Sequence, residues 1–142
     1  MRILYNLLMV IIIILSPVIV FYRILKKKEN PKRFLEKFGF FKKKRVNGKL
    51  IWFHCSSVGE LLSIVPLIEK FEKDKKIKSI LISTSTLSSS KIFKKFKFKK
   101  TIHQFYPIDN PLIVNKFLCY WKPTAAFFVE SEIWPEMLRG LK

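Results

Sequence analysis

Hydrophobic and polar positions divide the chain in two. Residues 3–22 carry no charge and are interrupted only by Asn6, Ser16 and Pro17, long enough to cross a hydrocarbon layer of roughly 30 Å. A signal peptide would end in a small-residue cleavage site, whereas Phe21-Tyr22-Arg23 follows here. Residues 1–23 are therefore expected to form a membrane anchor helix. Tyr5 and Phe21-Tyr22 suit the interfacial belts, and Pro17 either kinks a spanning helix or ends a shallower, monotopic insertion.

From residue 49 short apolar runs alternate with segments of three-to-four periodicity. Strands are expected at 50–54, 77–83, 102–106 and 125–129, with helices at 59–73, 88–96 and 111–121 and a fourth starting at Trp134-Pro135. Apolar strands separated by amphipathic helices predict an α/β fold, a Rossmann-like parallel sheet with helices on both faces. The usual doubly wound order is 3-2-1-4.

Between the two parts, residues 24–48 form a basic juxtamembrane segment opposed only by Glu29 and Glu36. By the positive-inside rule this side is cytoplasmic. Within it Pro31 starts a predicted helix in which Phe34, Leu35, Phe38 and Phe41 share a face, either lying on the membrane with lysines toward anionic headgroups or forming a solvated linker. The formal net charge of +18 favours anionic partners, although an AT-rich genome also supplies lysine. The run lacks the aromatic platforms and glycine-rich features of nucleic-acid modules, so anionic lipid is the expected partner and nucleic acid is not. Cys55 and Cys119 lie far apart with no ligand spacing, which argues against a zinc site or a disulfide framework and fits a reducing compartment. His54 and His103 each stand alone and read as structural.

The chemistry is expected at the first strand-to-helix turn, His54-Cys55-Ser56-Ser57-Val58-Gly59-Glu60. Ser57-x-x-Glu60 reads as a capping box, which is purely structural by itself. Under the 3-2-1-4 order, however, strands one and four are neighbours and their carboxyl ends flank the crevice where ligands bind. Glu60 follows strand one and Glu130 ends strand four, so two carboxylates remote in sequence are expected at one cleft. The structural alternative for Glu130 is a cap or ion-pair partner, with Ser131 capping the helix at Trp134-Pro135. Gly59 leaves room for an acceptor to approach the helix start, or is merely tolerated there. Ser57 is expected to cap the helix and to touch the acceptor. The hydroxyls at 83–86 and 88–90 offer a further sugar or phosphate contact. Asp109-Asn110-Pro111 reads as cap and first-turn proline of the third helix.

Three motifs carry a resemblance: H-C-S-S-V-G-E at 54–60, Y-P-I-D-N-P at 106–111 and V-E-S-E-I-W-P at 129–135. In this order, behind an apolar N-terminus, they resemble the N-terminal half of the Kdo (3-deoxy-D-manno-octulosonic acid) transferases. The resemblance implies the N-terminal domain of a GT-B glycosyltransferase, moving Kdo from CMP-Kdo to the lipid A precursor (lipid IVA) in lipopolysaccharide core biosynthesis. It implies the cytoplasmic face of the inner membrane, inversion at the anomeric carbon, and no metal or further cofactor. A sugar hydroxyl is a poor nucleophile until its proton has somewhere to go. The resemblance makes Glu60 that general base and Glu130 the carboxylate that assists at the transition state. A helix dipole lowers the basicity of Glu60, and a second carboxylate or an apolar lid restores some of it. Residues 49–142 would then be an incomplete acceptor-side domain, inactive without a nucleotide-binding domain. A rival from another class is a non-catalytic, membrane-tethered domain that binds anionic lipid.

Overall fold

The computed structural model describes residues 2–129 and 134–141. A long helix α1 (Arg2–Leu25) and a 3-10 turn (Phe34–Phe38) precede β1 (Leu50–Cys55), α2 (Val58–Lys73), β2 (Ser79–Thr84) and α3 (Leu87–Phe93). Then come β3 (Thr101–Phe105), α4 (Pro111–Trp121), β4 (Ala125–Phe128) and α5 (Pro135–Gly140). The four strands form one sheet in the order β3-β2-β1-β4, with all pairs parallel. This is the expected α/β architecture and strand order.

The sheet is double-sided because β1, one of its two inner strands, is apolar except for His54, and all six of its residues are buried. Ile51, Phe53 and Cys55 pack with Leu61, Ile64 and Ile68 of α2 and Phe93 of α3. Leu50 and Trp52 point the other way, onto Val114, Phe117 and Trp121 of α4 and Met137 of α5. Successive strand residues face opposite sides, so a continuous apolar run needs a helix layer on each face.

Element ends differ from the sequence reading by a few residues. Ile77 is buried but closes a turn, its N–H donating to Asp74 O at 3.3 Å, so β2 begins at Ser79. Beyond Phe93 the chain tightens into turns, with Lys95 N–H donating to Ile92 O and Phe96 N–H to Phe93 O, which ends α3 before Phe96.

The basic segment makes specific contacts with the sheet domain. Glu36 is buried in the 3-10 turn, where it accepts from Arg33 at 2.6 and 2.8 Å and from the Phe105 amide at 3.0 Å. Arg33 also donates to His103 O at 3.0 Å. Phe41 does not share the face of Phe34 and Phe38. Gly39, at φ 81°, ends the turn, and Phe41 packs among Phe117, Tyr120 and Trp121 with ring centroids 4.9–6.0 Å away. A left-handed residue there redirects the chain at low cost only if it is glycine.

Candidate active site

The turn after β1 is built by backbone needs. Ser57, extended at φ −107° and ψ 166°, caps α2: its hydroxyl oxygen accepts from Glu60 N–H at 3.3 Å. The Glu60 carboxylate folds back. Its Oε2 accepts from Ser56 N–H at 2.8 Å and, more distantly, from Ser57 N–H at 3.5 Å. Oε1 accepts from the Ser57 hydroxyl at 2.6 Å. Both halves of the expected capping box are therefore present, and they hold the carboxylate over the first turn of α2, where the partial positive charge of the helix end favours an anion. Gly59 beside it is exposed, and a Cβ built there meets no atom within 4 Å. Nothing in the fold requires glycine at this position for space.

Strand β4 lies against β1, pairing Phe128 with His54, and Val129 N–H donates to His54 O at 3.0 Å. The chain that leads to Glu130 thus leaves the sheet beside the Ser56–Glu60 turn. Glu130 and Ser131 themselves lie outside the described residues.

Under the rim, His54 and His103 behave as structural residues. His54 Nδ1 lies 3.0 Å from Ser83 Oγ and 3.2 Å from Ser83 O, and its ring stacks on Tyr106 at 3.9 Å between centroids. Burial lowers its pKa to about 4, against a smaller upward pull from Ser83 and Glu60, so the imidazole is neutral at pH 7. His103 Nε2 is 2.8 Å from Thr84 Oγ1. Burial, followed by the positive charges of Arg33, Lys43 and Lys94, brings its pKa down to about 3. The hydroxyls at the end of β2 and after it bond within the domain: Ser83 accepts from Trp52 Nε1–H at 2.8 Å, and Thr86 caps α3 by accepting from Ser89 N–H at 3.2 Å. Among the described residues no three His, Cys, Asp or Glu side chains are placed to hold a metal ion.

Asp109 has a role that the sequence reading missed. Asn110 caps α4, its Oδ1 accepting from Leu112 N–H at 3.0 Å, whereas Asp109 is buried and serves α5. It accepts from Glu136 N–H at 3.0 Å and Met137 N–H at 2.9 Å. It also accepts from the Tyr5 hydroxyl of α1 at 2.5 Å. The N-cap of α5 is Trp134, which supplies no side-chain acceptor, and the orphan amides of Glu136 and Met137 are satisfied from the β3–α4 loop. A helix start without Ser, Thr, Asp or Asn in the cap position is the sequence signal that an acceptor must come from elsewhere.

A carboxylate at a helix start, beside an uncovered glycine on the carboxyl rim of a parallel sheet, can accept a proton from a hydroxyl laid against that turn. Residues 32–142 match the family model of 3-deoxy-D-manno-octulosonic-acid transferase (kdotransferase). The chain belongs to the Kdo transferase family. A 3-deoxy-D-manno-octulosonic acid transferase of Rickettsia bellii is 39% identical over 118 residues, 83% of this chain and 28% of the relative. A probable mitochondrial 3-deoxy-D-manno-octulosonic acid transferase of Arabidopsis thaliana is 37% identical over 117 residues, 82% of this chain and 26% of its own length. The Haemophilus influenzae 3-deoxy-D-manno-octulosonic acid transferase is 26% identical over 135 residues, 92% of this chain and 32% of its own. The chain spans about a quarter to a third of the length of these Kdo transferases. The residues matched to the family include the whole β1-to-α2 turn and the clamp in which Asp109 holds the Glu136 and Met137 amides.

Proposed function

We propose that this chain is the acceptor-side part of an enzyme that transfers Kdo from CMP-Kdo to the lipid A precursor in lipopolysaccharide synthesis, with Glu60 as general base. The observation that carries this reading is the Glu60 carboxylate, held over an open helix start in a Kdo transferase domain. The acceptor hydroxyl approaches over Gly59 and displaces the Ser57 hydroxyl from Oε1, while the Ser56 amide keeps Oε2 in place. Its proton passes to Oε1 as the new C–O bond forms at the anomeric carbon. The bond to CMP breaks with its electron pair leaving on the phosphate, and attack from the opposite side inverts the centre. Positive charge develops on the departing sugar, and Glu130 is assigned to stabilise it. Glu60 alone supplies the base, and no cofactor besides the activated donor enters this scheme. The test is a fusion of this chain to the remaining C-terminal part of the Rickettsia bellii relative, assayed for Kdo incorporation into lipid IVA. A folded fusion that binds CMP-Kdo and leaves the acceptor unmodified rejects the reading.

Gly59→Ala separates access from tolerance. In a helix interior alanine is favoured over glycine by about 1 kcal/mol, and the site is empty, so the melting temperature should hold or rise. The added methyl group lies where the acceptor is proposed to pass. Transfer by the fusion should fall about tenfold, a barrier increase of about 1.4 kcal/mol. An unchanged rate would return Gly59 to a merely tolerated position.

The proposal places the domain on the cytoplasmic face of the inner membrane, anchored by α1 and by anionic lipid at the basic segment. Arg45 is excluded from the lipid contact: it donates to Trp121 O at 2.6 Å and to Gly48 O and Lys122 O at 3.3 and 3.4 Å, fixing the end of α4. Lys42, Lys43 and Lys44 are exposed. Their triple replacement by glutamate should weaken partitioning onto anionic vesicles about tenfold at low salt, and less at high salt. Sedimentation with vesicles checks this, and unchanged partitioning would remove these lysines from the membrane contact.

A further inference from the structure

Helix α1 has two faces that differ in what they touch. Tyr5, Met9, Ile12, Ser16, Val20 and Ile24 recur at three-to-four spacing along one side and meet the domain. Tyr5 is bonded to Asp109. Met9 and Ile12 share a groove of about 260 Å³ with the 106–109 loop. Ser16 and Val20 face Phe34, Leu35, Phe38 and Phe40 across a second groove of about 290 Å³. Ile24 shares a hollow with Leu87 and Lys91 of α3. At the far end Arg23 pairs with Glu29 at 3.2 Å, and Glu29 accepts from Lys37 at 2.8 Å. On the opposite side Leu4, Ile11, Val18 and Leu25, at seven-residue spacing, are 71, 46, 70 and 65% exposed. That face is apolar from end to end.

We propose that α1 is an in-plane anchor, docked on its domain and immersed by its outer face in one leaflet, and that it does not cross the bilayer. The inference rests on the reading of α1 as the membrane anchor. From Tyr5 to Ile24 the helix runs about 28 Å, at 1.5 Å per residue; its inner face meets Asp109 and Lys37 beside Tyr5, Met9 and Ile12, phenylalanines beside Ser16 and Val20, and Glu29 and Lys91 beside Ile24. A helix crossing the membrane while docked would carry Lys37 and Asp109, which line the groove at Met9 and Ile12, into the hydrocarbon, where ionisable groups are costly. A helix crossing while undocked would break the Tyr5–Asp109 bond and bare the phenylalanines of the 3-10 turn. Lying flat, it keeps every contact and covers the apolar outer face with acyl chains. Exposed Lys26, Lys27, Lys28 and Lys32 follow directly, complementary in charge to anionic headgroups. The same helix passes Ser85, Tyr106 and Asp109 at the carboxyl rim of the sheet, so the leaflet surface runs alongside the rim that carries Glu60.

Single spin labels at Leu4, Ile11, Val18 and Leu25, in a Cys119→Ser background of the 142-residue chain, test this on phosphatidylglycerol–phosphatidylcholine vesicles. An in-plane helix places all four labels at one depth, about 5–10 Å below the headgroup boundary. A profile that is deepest at Ile11 and Val18 and shallow at both ends, over about 31 Å, overturns the in-plane arrangement and leaves the anchor standing. Failure of the chain to float with the vesicles overturns the anchor itself. Dipolar broadening between labels on different copies overturns lipid as the occupant of this face in favour of a second chain.

Discussion

Replacing Glu60 by glutamine in the fusion with the Rickettsia bellii remainder is expected to lower kcat/KM about 10²- to 10⁴-fold, the usual contribution of a positioned general base. The substitution is informative because it leaves the fold nearly untouched. The glutamine carbonyl can still accept from Ser56 N–H, and the Ser57 hydroxyl still accepts from the residue 60 amide, so helix α2 keeps its cap. The expected stability change stays within about 1 kcal/mol, readable from a thermal melt of the same preparation. A carboxamide has no basic oxygen to take the acceptor proton, so loss of rate without loss of fold assigns the carboxylate to chemistry. Glu60→Asp tests reach: the charge remains, but the shorter side chain withdraws from Ser56 and from the acceptor path, and it should fall between the two. If Glu60→Gln retained most of the rate, the capping box would be all that this carboxylate does.

What could be read in the sequence was local. The apolar run of β1, the periodicity of α2 and the Ser57–Glu60 box each concern residues within a few positions of one another, and each is present. The strand order followed from general rules of connection, which is why the β1–β4 neighbourhood, and with it the path toward Glu130, was foreseeable. Three features were not, for a common reason. Asp109 serves a helix that begins at Pro135, Phe41 packs among α4 aromatics, and Arg45 binds carbonyls at Trp121 and Lys122. Each pairing spans tens of residues, and neither partner's neighbours announce it. Local pattern located the basic segment but not its partners, so a salt-bridged and partly buried stretch read as a lipid-facing face or a solvated linker.

The Asp109 clamp has the second large expected effect. In Asp109→Ala the buried amides of Glu136 and Met137 lose their acceptor and the Tyr5 hydroxyl loses its partner. Lost caps and unsatisfied buried donors each cost about 1 kcal/mol or more, so the sum should be about 3 kcal/mol, a fall of about 10 °C in melting temperature for a domain of this size. Asp109→Asn keeps one carbonyl acceptor and should lose about half as much. Tyr5→Phe alone removes one hydroxyl at the α1 contact, about 1 kcal/mol or less, and in the Asp109→Ala background it should add almost nothing, because the two residues share one interaction. Full additivity of the pair would mean that Tyr5 and Asp109 do not interact in solution. The clamp also bears on the proposed mechanism. The chain into Glu130 is fixed at Val129 by His54 O, and the chain out of that segment is fixed at Glu136 and Met137 by Asp109. Releasing the second tether in the fusion should therefore lower transfer at temperatures well below the melt, where Tyr5→Phe leaves it unchanged. Equal rates for Asp109→Ala and the parent chain at such temperatures would confine Asp109 to stability.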